Sequence, residues 1–323
     1  MVATKSRKST KQQPASNKEK IEAQDKFQLV TDKLLALLEK GVKPWVKPWN
    51  SANGGAFKNL ISGHAYTGIN PILCLIDTIE LEDQRPYFLS FLQGKELGWK
   101  LNKGCKATWL RWGGKGVKEF ENAETGELEK KYYNAAKWLS VFHISHFDDS
   151  EAEKKISSFT DKLNGGEYVP TEKERLDKAE KLILATNAKI IYGGDRAFYS
   201  PSTDSITLPS FEDFKTVHGY YGTAIHELVH WTSHHSRCSR TVSGNFGSSE
   251  YAFEELVAEV GAAFVLNGLG LEAELENHAS YVSSWSKVLK SDNRAFFNAA
   301  SLAGKAADYL TALGEQQINK GVE

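Results

Sequence analysis

Between Asp25 and Lys40 the apolar residues Phe27, Val30, Leu34, Leu37 and Leu38 recur at three- and four-residue intervals, and Gly41 follows where a helix commonly ends. That spacing predicts a first helix. From Lys43 to Phe147 the pattern breaks into short apolar pieces divided by Gly, Pro and Asn, which predicts strands, short helices and long connections. Asp148 to Pro170 turns polar, contains Asn164-Gly165-Gly166, and reads as a linker. Thr171 with Glu174 forms a capping-box pattern ahead of Leu176, Ala179, Leu182 and Ile183 on one helical face. Strands are expected at Lys189–Tyr192, Ala197–Tyr199 and Ser205–Leu208, the last two joined as a hairpin. Four helical stretches follow, at Thr216–Ser233, Ser249–Leu266, Asn277–Lys290 and Arg294–Leu313. There is no internal repeat.

The pattern is that of an α+β protein with two domains. Residues 1–22 form a disordered basic tail, 23–150 an N-terminal mixed α/β domain, 151–170 a linker and 171–323 a second domain. A chain of 323 residues is long enough for each domain to bury its own core. No apolar run approaches the roughly 18 residues that a membrane span needs. Three cysteines without short spacing support neither a disulfide framework nor a cysteine metal site, so the cytoplasm is the expected compartment. The net charge of −1 conceals an asymmetry: residues 1–140 hold 23 Lys and Arg against 15 Asp and Glu, and the remainder 17 against 26. The first part could therefore favour a polyanion, although about half of its excess lies in the tail.

The chemistry concentrates in Ala224-Ile225-His226-Glu227-Leu228-Val229-His230-Trp231. Imidazoles four residues apart on a helix share a face and can both reach one tetrahedral Zn²⁺, while Glu227 projects nearby as a general base for water. A third ligand is needed, and the following helix offers Glu254, Glu255 and Glu259. Glu255 projects within about 20° of the small residue Ala262, on the side where Ala258 and Gly261 permit close approach. It is the leading candidate, with Glu254 the alternative, and Glu259 suits a hydrogen bond to the free ring nitrogen of a histidine. The segment Ala197–Leu208 is a candidate edge for pairing with an extended peptide substrate.

In the first part, Lys43–Asn70 interleaves aromatic residues with lysines, the ingredients of a single-stranded nucleic-acid surface. The candidates are Trp45, Lys47, Trp49, Lys58 and Tyr66, with Lys103 and Lys106 further on. Here the chain resembles the ArdC-type antirestriction proteins. The first half carries the match at Pro48-Trp49, Gly54-Gly55, Asn59, Ser62-Gly63, Tyr66, Gly68, Asn70, Gln93, Leu97-Gly98, Lys103-Gly104 and Lys106. The second half carries it at Gly194-Asp195-Arg196-Ala197, Ser200-Pro201, His226 to His230, Thr232, His234, Ser236-Arg237, Glu254 to Glu259 and Glu276 to Tyr281. Ala56, Thr67, Cys105, Ala107, Ser233 and Cys238 depart from the family pattern, and none of them is a metal-site position.

The resemblance implies an N-terminal domain that binds single-stranded DNA and a C-terminal zincin-like metallopeptidase domain, in a protein that protects transferred DNA. The expected partners are single-stranded DNA and a protein substrate. Two alternatives stay open: a non-proteolytic protein that coats DNA and holds a structural zinc, and a cytosolic metallopeptidase with no DNA role.

Overall fold

A computed structural model describes residues 25–46, 56–113, 115–121, 127–134, 136–148, 156–159, 170–240, 247–274 and 279–320. The expected tail, Lys47, Trp49 and most of the expected linker lie outside these residues.

Helix α1 (Lys26–Glu39) begins where the Asp25 carboxylate accepts the Phe27 amide hydrogen, and it buries the stripe Val30, Leu34, Leu37 and Leu38. After it come β1 (Lys58–Asn59), α2 (Asn70–Thr78), β2 (Tyr87–Leu89), α3 (Phe91–Glu96), β3 (Lys100–Leu101), β4 (Thr108–Trp112), β5 (Lys115–Glu121), β6 (Leu128–Asn134), β7 (Lys137–His143) and β8 (Phe147–Asp148). Strands β1, β2, β7 and β4 form one sheet in that order, β5 pairs with β6, and β3 with β8.

Side-chain amides fix the connections between these short elements. Asn59 Oδ1 accepts the backbone amides of Ile61 and Ser62 and closes the turn after β1. The same side chain exchanges hydrogen bonds with Gln93, whose Oε1 also accepts from the Ser90 amide in the α3 capping box. Asn70 imitates a strand partner for Arg111, accepting from its amide at 2.7 Å and donating to its carbonyl at 3.0 Å.

In the second half, α4 (Glu172–Ala185) starts at the expected capping box of Thr171 and Glu174. Strands β9 (Lys189–Tyr192), β10 (Phe198–Ser200) and β11 (Ser205–Leu208) form a sheet of order β10-β11-β9, with β10 antiparallel and β9 parallel to β11. Helices α5 (Val217–Trp231), α6 (Ser249–Leu269), α7 (Ala279–Ser291) and α8 (Ala295–Lys320) complete it. Helix α6 is buried on nearly all sides and packs against α5, α7 and α8. Its C-terminus ends at Gly270 with φ of 75°, the left-handed conformation that glycine adopts without steric cost.

The halves do not close on separate cores. One continuous hydrophobic cluster runs from Val30, Trp45 and Phe88 to Leu228, Val257 and Leu310. A small second cluster around Leu89, Trp99 and Phe147 belongs to the first half alone. Helix α1 forms part of the seam: Phe27 packs edge-on against Phe297 with centroids 4.8 Å apart, and the Thr31 hydroxyl donates to the Asn293 carbonyl.

This seam changes the reading of the aromatic residues proposed for DNA. Trp45 is 0% exposed, wedged against Trp285 and Phe296 at 5.7 Å from each ring, so it has no free face for a base. Tyr66 is buried beside Phe88, and Lys58 is buried with its ammonium 6.0 Å from the Tyr87 ring. Alternation of aromatic and basic residues could not reveal this, because a platform and a core wedge use the same side chains. Lys103 and Lys106 are exposed. Replacing Trp45 with Ala should destabilise the protein by about 3–5 kcal/mol, as large-to-small core changes do. Denaturant unfolding monitored by circular dichroism measures it, and a stability unchanged within about 0.5 kcal/mol would refute the wedge.

Candidate metal centre

Helix α5 begins where the Thr216 hydroxyl accepts the Gly219 amide hydrogen, and its inner face is the apolar set Ala224, Ile225, Leu228 and Val229. His226 and His230 lie one turn apart beside that face, with ring centroids 4.9 Å apart. Helix α6 crosses closely because Gly261 meets Val229: a Cβ at position 261 would stand 2.9 Å from Val229 Cγ1. That contact is tight enough that any larger residue would force the Val229 side chain or the helices to shift.

The approach brings three side chains together. His226 Nε2 is 3.5 Å from one Glu255 oxygen, and His230 Nε2 is 3.4 Å from the other. One donor atom from each of these residues lies within 4.8 Å of the other two. Donors bound at about 2.0–2.1 Å at the corners of a tetrahedron stand about 3.4 Å apart, so both imidazole–carboxylate separations are compatible with ligands of one divalent ion. Glu255, rather than Glu254, is the carboxylate that meets both Nε2 atoms.

The opposite nitrogens are served by the two remaining carboxylates. His230 Nδ1 is 3.3 Å from Glu254 Oε1, and His226 Nδ1 is 3.8 Å from Glu259 Oε2. Each carboxylate has its own buried cation. Arg240 bonds Glu254 at 2.7 and 3.3 Å and also donates to the Val229 carbonyl and the Thr232 hydroxyl at the end of α5. Lys43 pairs with Glu259 at 2.6 Å. Burial alone would lower both histidine pKa values, but hydrogen bonds donated by His226 to Glu255 and by His230 to Glu254 and Glu255, together with the negative charges of Glu255 and Glu227, outweigh it and raise both. Burial likewise pushes the Glu255 carboxyl up, and the two imidazoles overcome it and hold it well below the usual carboxylate range. A cation at this position would take over the role that those protons play.

Glu227 is buried beside His226 and neither hydrogen-bonds nor ion-pairs with any described residue. Tyr251, one turn before Glu255 on α6, meets the Tyr281 hydroxyl at 3.3 Å. Burial, then Tyr281 and Glu255, raise its phenol well above the usual range. Tyr221 donates to Glu180 at 3.1 Å, and His234 bonds Ser236. Arg237 stacks 3.8 Å over the Trp231 ring and pairs with Asp204, fixing the β10–β11 hairpin to the end of α5. Sequence reasoning missed Arg240, Lys43 and Tyr251. Only Tyr251 left a trace, in its four-residue spacing from Glu255; the two cations come from segments whose local pattern says nothing of metal.

Residues 177–302 match the model of a zincin-like metallopeptidase family, and residues 24–142 match the N-terminal domain of the anti-restriction factor ArdC. The metal-free crystal structure of the antirestriction protein ArdC from plasmid R388 is 32% identical to this chain, with a TM-score of 0.66 over 90% of this chain and 98% of that one. The chain belongs to the ArdC antirestriction family. Its architecture is accordingly an ArdC N-terminal domain followed by a zincin-like one. The Mn(II)-bound structure of the R388 protein is similar at 30% identity and a TM-score of 0.65, over the same shares of the two chains. Two proteins of Escherichia coli named DNA primase TraC are each 33% identical over 91% and 90% of this chain, which spans only 20% and 27% of their lengths. The protein y4eC of Sinorhizobium fredii is 30% identical over 89% of this chain and 92% of its own.

The helix crossing gives a direct test. Gly261→Val should lower stability by about 1–3 kcal/mol through overpacking and should weaken divalent-metal binding in the folded protein. Thermal unfolding with and without Mn(II) measures both, and a variant with wild-type stability and wild-type metal response would show that the close contact is unimportant.

Proposed function

We propose that this ArdC-family protein binds single-stranded DNA and carries a metal-dependent peptidase site, and that it acts in the cytoplasm to protect or establish transferred DNA. The observation that carries the peptidase reading is the convergence of His226, His230 and Glu255, with both Nδ1 atoms facing carboxylates. An ionised carboxylate only accepts, so it keeps the ring proton on Nδ1 and leaves the Nε2 lone pair for the ion. The donor set of two imidazoles and one carboxylate fits Zn²⁺, and a bound divalent ion would acidify water and polarise a peptide carbonyl. Glu227 would take the proton from water and return it to the departing amine. The outer edge of β10, held beside α5 by Arg237, would pair with an extended peptide. A purely structural ion would gain nothing from a carboxylate at position 227.

The DNA reading rests on a set of cations held on aromatic rings at the seam. Lys26 lies 4.0 Å over Trp109, Arg111 lies between Phe27 and Trp138 at 5.3 and 5.1 Å, and Arg294 lies 4.7 Å over Phe27. None of the three pairs with a described carboxylate. Cationic charge beside aromatic surface suits phosphates and unstacked bases, and similar proteins carry the names antirestriction protein and DNA primase.

Purified protein should contain close to one divalent ion per chain and His226→Ala essentially none, by elemental analysis. Glu227→Gln should retain the ion and lose peptide hydrolysis; hydrolysis at the wild-type rate would remove Glu227 from the chemistry. Replacing Lys26 and Arg111 with Gln should weaken binding to an oligonucleotide and flatten the log–log salt dependence by about 0.7 for each lost phosphate contact. An unchanged slope would count against this surface.

A further inference from the structure

We propose that Lys43, a residue of the N-terminal unit, is a positioning residue of the metal centre. Its ammonium holds the Glu259 carboxylate against Nδ1 of His226. The proposal rests on the metal reading above.

The far nitrogen of each histidine faces a carboxylate, His230 at hydrogen-bond distance of 3.3 Å from Glu254 and His226 at 3.8 Å from Glu259, but the cations behind those carboxylates come from different places. For His230 the chain is His230, Glu254, Arg240, all supplied by the zincin-like unit. For His226 it is His226, Glu259, Lys43, and the last member lies 216 residues before Glu259, within the stretch that matches the ArdC N-terminal domain. Lys43 and Glu259 side chains are only 6% and 5% exposed, so little solvent competes for either charge. Removing one member of such a pair leaves the other buried without its counterion. The lysine is held in place by its neighbours. Trp45, two residues on, is wedged between Trp285 and Phe296, and the Lys43 ammonium lies 5.8 Å from the Trp285 ring.

An orienting contact on the far nitrogen of a metal-bound imidazole fixes both the ring's direction and its tautomer, and losing such a contact typically costs about 10–100-fold in metal affinity. Without Lys43, Glu259 is free to turn from His226. The zincin-like unit therefore carries three ligands but lacks one of the cations that hold them in register.

The test uses the full-length protein and Mn(II), whose free form is counted by electron paramagnetic resonance. Lys43→Met should weaken Mn(II) binding by about 10-fold, at the low end for an outer contact. Lys43→Arg should restore most of it. Glu259→Gln should weaken binding too, and adding Lys43→Met to it should cost no more than about twofold further, because Lys43 acts through Glu259. Mn(II) affinity within about twofold of wild type in Lys43→Met would overturn the proposal, whether or not its melting temperature falls. Losses that multiply in the double variant would also overturn it. A wild-type protein that leaves Mn(II) free would overturn the metal reading itself, a result distinct from failure in the Lys43 variants alone.

Discussion

The candidate metal centre depends on how closely two helices can approach. Val229 of α5 and Gly261 of α6 meet so closely that a Cβ on Gly261 would crowd the Val229 methyls. One turn earlier on α6 than Ala258 and two turns before Ala262, Glu255 is thereby carried to the Nε2 atoms of both histidines. Small residues at a crossing are usually explained by packing. Here the packing has a chemical result, because the separation of the helix axes sets the separation of the side chains that could hold an ion.

Burial then sets the terms for the surrounding charges. Glu227, Glu254, Glu255 and Glu259 are all nearly withdrawn from solvent within a short distance of two histidines. Four carboxylates so confined would repel one another and forfeit hydration unless cations compensate them. Arg240 and Lys43 compensate two of them. Glu255 leans on the imidazoles themselves, which is the arrangement a divalent ion would relieve. The acid-rich composition of the C-terminal part, which looks like a solvated surface when counted, is in part an interior feature.

How much of this could be read from the sequence follows from the range of each interaction. Helix α1, the capping box at Thr171, strand β9 and the β10–β11 hairpin were legible because their signals are local: periodicity, caps and turn residues within a few positions. His226, Glu227 and His230 were legible for the same reason, all falling within one and a half turns. Helix geometry and the small residues at the crossing favoured Glu255 but left Glu254 open, because the two differ only in which nitrogen of the histidines they meet. Trp45 and Tyr66 misled because the aromatic-basic pattern says nothing about which face the fold covers. Lys43 and Arg240 were invisible because their significance is entirely tertiary; a lysine in a Lys-Pro-Trp stretch carries no mark of a carboxylate 216 residues away.

The hydrophobic cluster that runs unbroken through both family units bears on how such proteins are assembled over evolutionary time. Two globules joined by a tether can be shuffled separately, whereas two that share an interior must travel together or be rebuilt. The segments shared with the two TraC proteins extend over 307 and 301 residues, far beyond either unit, inside chains several times longer. In both, the similarity spans the two units together, the same extent over which this chain's interior is shared.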